Sequence, residues 1–239
     1  MNLAIIGYGK MGKEIEKIAL ERNHKVCLII DIDNQSDFTT DNLLAADVAL
    51  DFSVPGSAYS NIKKCLDAGL PIVSGTTGWL DRFDEVLSIC REKGGAFFYA
   101  SNFSPGMNIF FHLNRYLAGM MNSFKDYDIS IEETHHAQKL DAPSGTAIKL
   151  AEDIISVIDR KNKWEKESGK GSDSIIVTSV RKGNIPGIHK ITYDSQIDFI
   201  EIKHSARSRR GLALGAILAA EFIKDKKGFF TMNDLLKLS

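Results

Sequence analysis

The chain opens on a short apolar run, Leu3 to Ile6, broken by Gly7; from Lys10 to Glu21 the apolar residues Met11, Ile15, Ile18 and Ala19 recur on one helical face. This predicts a strand, a tight turn and a helix. Val26 to Ile30 is a second apolar run without polar alternation, the pattern of a parallel strand covered on both faces, and it ends at Asp31. The rhythm continues with strands predicted at Val48 to Phe52, Pro71 to Ser74 and Ala96 to Ala100, separated by helices near Gly56 to Ala68 and Leu80 to Glu92. Repeated strand and helix alternation reads as α/β, a Rossmann-like doubly wound parallel sheet.

After residue 104 the pattern changes. A helix from Pro105 to Ser123 leads into Tyr127, Ile129 and Ile131, which alternate with Asp128, Ser130 and Glu132 as in an antiparallel strand with one wet face. Further strand-like stretches lie at Ile175 to Val180, Lys190 to Tyr193 and Ile197 to Lys203, and a long helix, Ser144 to Asp159, precedes them. This is a second, α+β domain with a mixed or antiparallel sheet. The polar, Lys- and Gly-rich stretch Arg160 to Ser174 reads as a mobile loop. A final helix, Ser208 to Lys224, is rich in Ala, Leu and Gly and returns to the first domain, so the expected division is 1–104 with 207–239, and 105–206.

Composition narrows the class. With 239 residues, 44% of them hydrophobic, the chain can bury a substantial core, and a net charge of -1 supplies no basic field for nucleic acid or an anionic membrane. Small molecules or copies of itself are the expected partners. The longest apolar run, Gly211 to Ala220, falls well short of the roughly 18 residues of a spanning helix and predicts a buried one. The N-terminus has no basic and apolar leader pattern, so a cytoplasmic protein is expected. Cys27, Cys65 and Cys90 form no CxxC pair; Cys65 falls in phase with Ala58, Ile62 and Leu66, and Cys90 with Phe83, Val86 and Leu87, which predicts core packing rather than disulfides or zinc.

Gly7-Tyr8-Gly9-Lys10-Met11-Gly12 is a GxGxxG motif that follows a strand and opens a helix. The first glycine permits the turn, the second lets a pyrophosphate approach the backbone, and the third allows close helix–strand packing, while the helix N-terminus offers free N–H groups. Asp31, about 20 residues on, is placed to bond a ribose hydroxyl pair. Ile32, Asp33 and Asn34 follow it, so a 2'-phosphate finds no cation there; NADH is favoured, with Lys10 leaving NADPH open. Two more loops, Ser74-Gly75-Thr76-Thr77-Gly78 and Ala100-Ser101-Asn102-Phe103-Ser104, follow strands and fall at the same sheet edge, although each alone also reads as a cap or turn.

Residues 133 to 147, ETHHAQKLDAPSGTA, hold the densest chemistry. His135 and His136 are adjacent, and Lys139 is four residues past the first; in a helical turn His135 and Lys139 would share a face, and in a loop their geometry is open. Together they supply a tunable acid and an electrostatic donor. Pro143 suits a helix start, and free N–H groups at Ser144, Gly145 and Thr146, with the Thr146 hydroxyl, can hold a carboxylate. Metal binding is the rival use of the histidines, but His24, His112, His189 and His204 form no HxxxH or HExxH pattern, and no metal is expected.

This stretch resembles the active-site motif of the 4-hydroxy-tetrahydrodipicolinate reductase (dihydrodipicolinate reductase) family of lysine and diaminopimelate biosynthesis. GYGKMG, DFSVP, GTTG, SNFSPGMN and HSARSRRGLALGA resemble family motifs in the same order, so the likeness spans most of the chain. It implies that His135 donates or accepts a proton, Lys139 donates one, His136 contacts substrate, and Gly145 and Thr146 bind a substrate carboxylate. It further implies dinucleotide contacts from Gly7, Tyr8, Gly9, Lys10, Met11, Gly12, Asp31, Gly75, Thr76, Thr77, Ala100, Ser101, Asn102 and Phe103. Residues 1–104 and 207–239 would then be the dinucleotide-binding domain and 105–206 the substrate-binding and oligomerisation domain of a homotetramer. The two domains are expected to close on substrate about a hinge near residue 104.

The implied reaction is hydride transfer from NADH or NADPH to C4 of a small cyclic dicarboxylate, with loss of water and protonation by a cationic His135 or Lys139. Arg207, Arg209 and Arg210 are candidate further charges for the substrate, or a solvated basic cluster. An aldehyde dehydrogenase would need an activated thiol, and no cysteine lies near the histidines. A non-catalytic NAD sensor would have no use for the His135, His136 and Lys139 set.

Overall fold

The computed structural model describes residues 1–166 and 171–238. They form two compact units, residues 1–108 with 209–239 and residues 109–208. The first unit holds β1 (Asn2–Ile6), α1 (Lys10–Glu21), β2 (Lys25–Ile30), α2 (Thr40–Leu43), β3 (Val48–Asp51), α3 (Pro55–Asp67), β4 (Ile72–Ser74), α4 (Phe83–Glu92) and β5 (Ala96–Tyr99). Helix α5 (Pro105–Met121) begins there and continues in the second unit, which adds β6 (Asp128–His135), α6 (Gly145–Ile155), β7 (Lys163–Lys166), β8 (Ser174–Arg181), β9 (Gly187–Asp194) and β10 (Phe199–Ala206). The first unit is completed by α7 (Arg210–Ile223), β11 (Gly228–Phe230) and α8 (Met232–Leu236).

The first sheet is parallel, in the order β11-β5-β4-β3-β1-β2. Its central strands are buried along their length, as β3 shows from Val48 to Asp51, because helices cover both faces. On one face Leu3, Ile5, Leu50, Val73 and Phe98 pack with Ile15 of α1 and with Ala213, Ala216, Ile217 and Ala220 of α7. On the other, Ala4, Ala49, Ile72 and Phe97 pack with Ile62 and Cys65 of α3 and Val86 and Cys90 of α4, so both cysteines are core residues. The small residues of α7 let it approach closely: a Cβ on Gly215 would stand 1.7 Å from the Phe103 carbonyl oxygen. The run Val26 to Ile30 departs from expectation. It forms the edge strand β2, where Cys27 is exposed, since an apolar run does not distinguish a central strand from an edge.

The second sheet runs β10-β9-β6-β8-β7. β6 is antiparallel to β9 but parallel to β8, so the antiparallel strand expected from Tyr127 onward is antiparallel on one side only. The parallel pairing needs a crossover, which α6 provides by packing Ala147, Leu150, Ala151 and Ile154 inward. Part of the stretch expected as a mobile loop is ordered pairing: β7 runs parallel to β8. Buried Lys161 holds its start, donating to Asp128 Oδ1 at 2.6 Å and to the carbonyls of Ser172 and Ser174 at 2.9 and 2.8 Å. Residues 167–170 of that stretch lie outside the described residues.

Asp51 ends β3 with no exposed surface and accepts four hydrogen bonds: Ser53 Oγ (2.7 Å), Asn61 Nδ2 (3.0 Å), Ser74 Oγ (3.0 Å) and Thr76 Oγ1 (2.9 Å). Burial pushes its carboxyl pKa up, against the pull of these donors. One side chain thus ties the ends of β3 and β4 to α3. Replacing Asp51 with Ala leaves those donors unsatisfied and is expected to destabilise the first unit by roughly 2–4 kcal/mol. Urea unfolding in a Trp164→Phe background checks this, because the remaining indole, Trp79, is buried beside the network and donates to the Thr76 carbonyl at 2.7 Å; an unchanged midpoint would contradict it.

Candidate active site

The turn after β1 is set by packing. Gly7 has φ +89°, and a Cβ there would stand 2.5 Å from the Phe52 carbonyl oxygen; a Cβ on Gly12 would stand 2.3 Å from the Gly7 carbonyl oxygen. Gly9 differs, since a Cβ there would meet nothing within 4 Å. It caps α1, whose first turn carries no acidic residue, so the free N–H groups face open space with a favourable dipole. A cleft of about 500 Å³ opens here, lined among others by Gly7, Tyr8, Gly9, Asp31, Ser53 and Val54. These residues fit a dinucleotide: a bare backbone turn, a helix end and an exposed carboxylate beyond it. Lys10 is exposed and Met11 half-buried beside the turn, while the Tyr8 hydroxyl is engaged by Glu16.

The other two strand-end loops do not line this cleft. Thr77 and Ser101 are exposed, and Gly75, Ala100 and Asn102 half-buried. Gly75 lies against Phe52, whose ring a Cβ would meet at 2.2 Å. Two of the predicted contact residues have other work. The Thr76 hydroxyl donates to Asp51 and accepts from the Ser53 N–H at 3.0 Å, and Phe103 is buried against Phe52 and Phe98 with ring centroids 5.4 and 5.8 Å apart. Ser53, Val54, Ser57 and Asn61 also line the cleft, though not among the expected contacts; the DFSVP motif signals the first two, and Ser57 and Asn61 follow it on α3.

In the second unit, Ile129, Ile131, Glu133 and His135 succeed one another on the buried face of β6. His135 is the last residue of the strand rather than one beyond it. His136 follows, half-buried, with an Nδ1 that has no hydrogen-bond partner among the described residues. Lys139 lies in a loop, not a helical turn, its N–H on the His136 carbonyl at 3.1 Å and its ammonium on both oxygens of Asp141 at 2.7 and 2.8 Å. Ser144 caps α6, its hydroxyl accepting from the Ala147 N–H at 3.3 Å. Gly145 and Thr146 therefore occupy the first turn, where N–H groups have no intrahelical acceptor.

Glu133 joins these pieces. It has no exposed surface, and its Oε1 accepts from the Ser144 N–H (3.0 Å), Ser179 Oγ (2.8 Å) and Arg181 Nη2 (2.9 Å). Burial raises its pKa, but the bonds from Ser144, Arg181 and Ser179 outweigh this and hold it at about 2. Its Oε2 lies 3.1 Å from His135 Nδ1 and 3.9 Å from His189 Nε2. Arg181 also donates to the carbonyls of Lys139 (3.3 Å) and Asp141 (2.6 Å), fastening the loop. Burial lowers the pKa of His135; the Glu133 charge opposes this, and Lys139 and Arg181 reinforce it. Burial likewise brings His189 down to about 4. His135 and His189 are therefore neutral at neutral pH.

Spacing alone separates His189 from this cluster, and the β6–β9 register, which sets Glu133 opposite His189, brings it in. Glu133, His135 and His189 then offer ligand atoms within 4.8 Å of one another. Electrostatics argues against a cation there, because the Arg181 guanidinium already stands against the carboxylate. Of the C-terminal arginines, Arg210 pairs with Glu21, and Arg207 and Arg209 are exposed.

Residues 1–103 match the family model of the dihydrodipicolinate reductase N-terminus, and residues 106–236 that of its C-terminus. The chain is 50% identical over 236 residues to the 4-hydroxy-tetrahydrodipicolinate reductase of Christiangramia forsetii, covering 99% of this chain and 98% of that one. It is 35% identical over 231 residues to the reductase of the same name from Neisseria meningitidis serogroup A, covering 94% of this chain and 84% of that one. Its fold is similar to a dipicolinate-bound dihydrodipicolinate reductase from Paenisporosarcina sp. TG-14, with a TM-score of 0.78 at 24% identity over 98% of each chain. Matched in both halves and along nearly its whole length, the chain belongs to the dihydrodipicolinate reductase family.

Proposed function

We propose that the chain reduces 4-hydroxy-tetrahydrodipicolinate to tetrahydrodipicolinate, with loss of water, in lysine and diaminopimelate biosynthesis. The observation that carries this reading is the gathering of His135 and the α6 N-terminus about one buried carboxylate, Glu133, whose partner Arg181 also fastens the loop of Lys139, in a chain of this family. When bound, NADH or NADPH supplies the hydride. The Gly7 to Gly12 turn and the α1 N-terminus hold its pyrophosphate and Asp31 its ribose; Gly75, Thr77, Ala100, Ser101 and Asn102 contribute from the neighbouring loops, with Thr76 and Phe103 supporting them from within. NADH is preferred, because the cleft is lined by no lysine or arginine among the described residues.

The N–H groups of Gly145 and Thr146 receive one substrate carboxylate, and Lys139 and His136 face the substrate beside it. Hydride addition leaves an electron-rich carbon that needs a proton, which His135 or Lys139 delivers. A neutral His135 must first be charged, and a dianionic substrate does this by raising its pKa. The protein works in the cytoplasm as a homotetramer. Exposed apolar residues on and beside the edge strand β10, Phe199 (65% exposed) and Ile197 (89%), support association through the second sheet.

In a coupled assay, cofactor oxidation is expected only when the product of dihydrodipicolinate synthase is supplied, and faster with NADH than with NADPH; binding without turnover would favour a sensor. His135→Gln and Lys139→Ala are each expected to lower kcat by roughly 100-fold, and near-normal rates in both would overturn the assignment.

Proton linkage gives a second test. The lowered pKa of free His135 leaves it neutral at pH 7.5, so dipicolinate binding should draw a proton onto it. Calorimetry in buffers of different ionisation enthalpy should show net proton uptake at that pH, absent in His135→Gln. Equal heats in all buffers would contradict the charging step.

A further inference from the structure

Two buried polar atoms face each other at the end of β6. Glu133 Oε2 and His135 Nδ1 are 3.1 Å apart, and neither has a hydrogen-bond partner among the described residues. The rival donor, His189 Nε2, is 3.9 Å from the same oxygen and closer to Ser144 Oγ, at 3.4 Å. The carboxylate cannot turn away, because its Oε1 is held from three directions by Ser144, Ser179 and Arg181. A carboxylate so fixed only accepts hydrogen bonds.

The opposite nitrogen of the ring has a different neighbour. His135 Nε2 lies beside Gly187, the first residue of β9, where a Cβ would stand 3.1 Å away. The absence of a side chain leaves that nitrogen uncovered, while the ring is braced by the edge-on contact of His189, with centroids 5.2 Å apart at 73°.

We propose that Glu133 is a positioning residue that holds the proton of neutral His135 on Nδ1, and that Gly187 keeps Nε2 clear as the atom that exchanges protons with the substrate. Glu133 thereby sets which nitrogen works and stabilises the charged ring once it forms, without touching substrate. The assignment rests on the reading of His135 as the proton-transfer residue, and it deepens that reading by naming the atom and the groups that select it.

The test is the tautomer itself. Long-range nitrogen–proton spectra of ligand-free, 15N-histidine-labelled protein at pH 7.5, with the His135 signal assigned by its loss in His135→Gln, should show the proton on Nδ1. In Glu133→Gln the carboxamide can donate to Nδ1, so the proton should move to Nε2, and kcat should fall at least roughly 10-fold with KM changed far less. A stabilising role alone would leave the tautomer where it was. Gly187→Ala should lower kcat with the Nδ1 proton retained. Wild-type His135 protonated on Nε2, an unmoved tautomer in Glu133→Gln, or full kcat in Gly187→Ala would each overturn the proposal. If Glu133→Gln does not fold, the wild-type tautomer and Gly187→Ala still decide. Normal turnover by His135→Gln would remove the proton-transfer reading and leave the tautomer result standing.

Discussion

A carboxylate with no access to water is stable only where hydrogen bonds replace the hydration it has lost, and Glu133 receives them from two other elements of the chain. Ser144 reaches its Oε1 from the cap of α6, and Ser179 and Arg181 from β8, while His135, two residues along its own strand, stands 3.1 Å from Oε2. The second sheet therefore has a reason for its mixed pairing that goes beyond packing. Parallel pairing with β8 puts His135 opposite Arg181, and antiparallel pairing with β9 puts Glu133 opposite His189. A strand joined to two antiparallel hairpin partners would assemble a different set of side chains. His135, the loop that bears Lys139 and the N-terminus of α6 are all arranged around one buried charge.

The first unit uses a related device with different electrostatics. Asp51 is as deeply buried as Glu133, yet its donors are hydroxyls and an amide, with no cation among them. Burial raises its pKa, whereas that of Glu133 is lowered, by Ser144 first and then by Arg181 and Ser179. The difference fits the two tasks. Around Asp51 the bonds fasten backbone turns at the carboxyl ends of parallel strands, where neutral bonds suffice. Around Glu133 a full negative charge is retained beside His135, where on the proposed reading it would stabilise a charged ring.

Much of this was legible in the residues, and the remainder was not for identifiable reasons. The glycine turn could be read because Gly7 and Gly12 answer local steric demands and Gly9 leaves the helix end bare. Glu133 carried a signal that alternation makes visible in retrospect: it falls in phase with Ile129 and Ile131, on the face that ought to be apolar. Arg181 and His189 carried no local signal, since they reach the site through the register of other strands. Strands β7 and β11 and helix α8 are too short to express a period, and the β2 run does not announce that it lies at an edge. Thr76 and Phe103 sit in loops that look ligand-facing, and the packing that turns them inward depends on Asp51 and Phe52 rather than on their neighbours in sequence.

The return of the chain to its first unit also governs how the molecule comes into being. During synthesis, β1 to β5 emerge long before α7, which with α1 covers Leu3, Ile5, Leu50, Val73 and Phe98, and before β11, which closes the sheet beside β5. Until residue 223 has left the ribosome, that apolar face is covered only in part, by α1, whereas the second unit, continuous in residues 109–208, is by then complete. The usual order of nascent folding, amino-terminal domain first, is thus reversed by the topology, and the unfinished sheet is the part of the chain that a chaperone has most reason to hold.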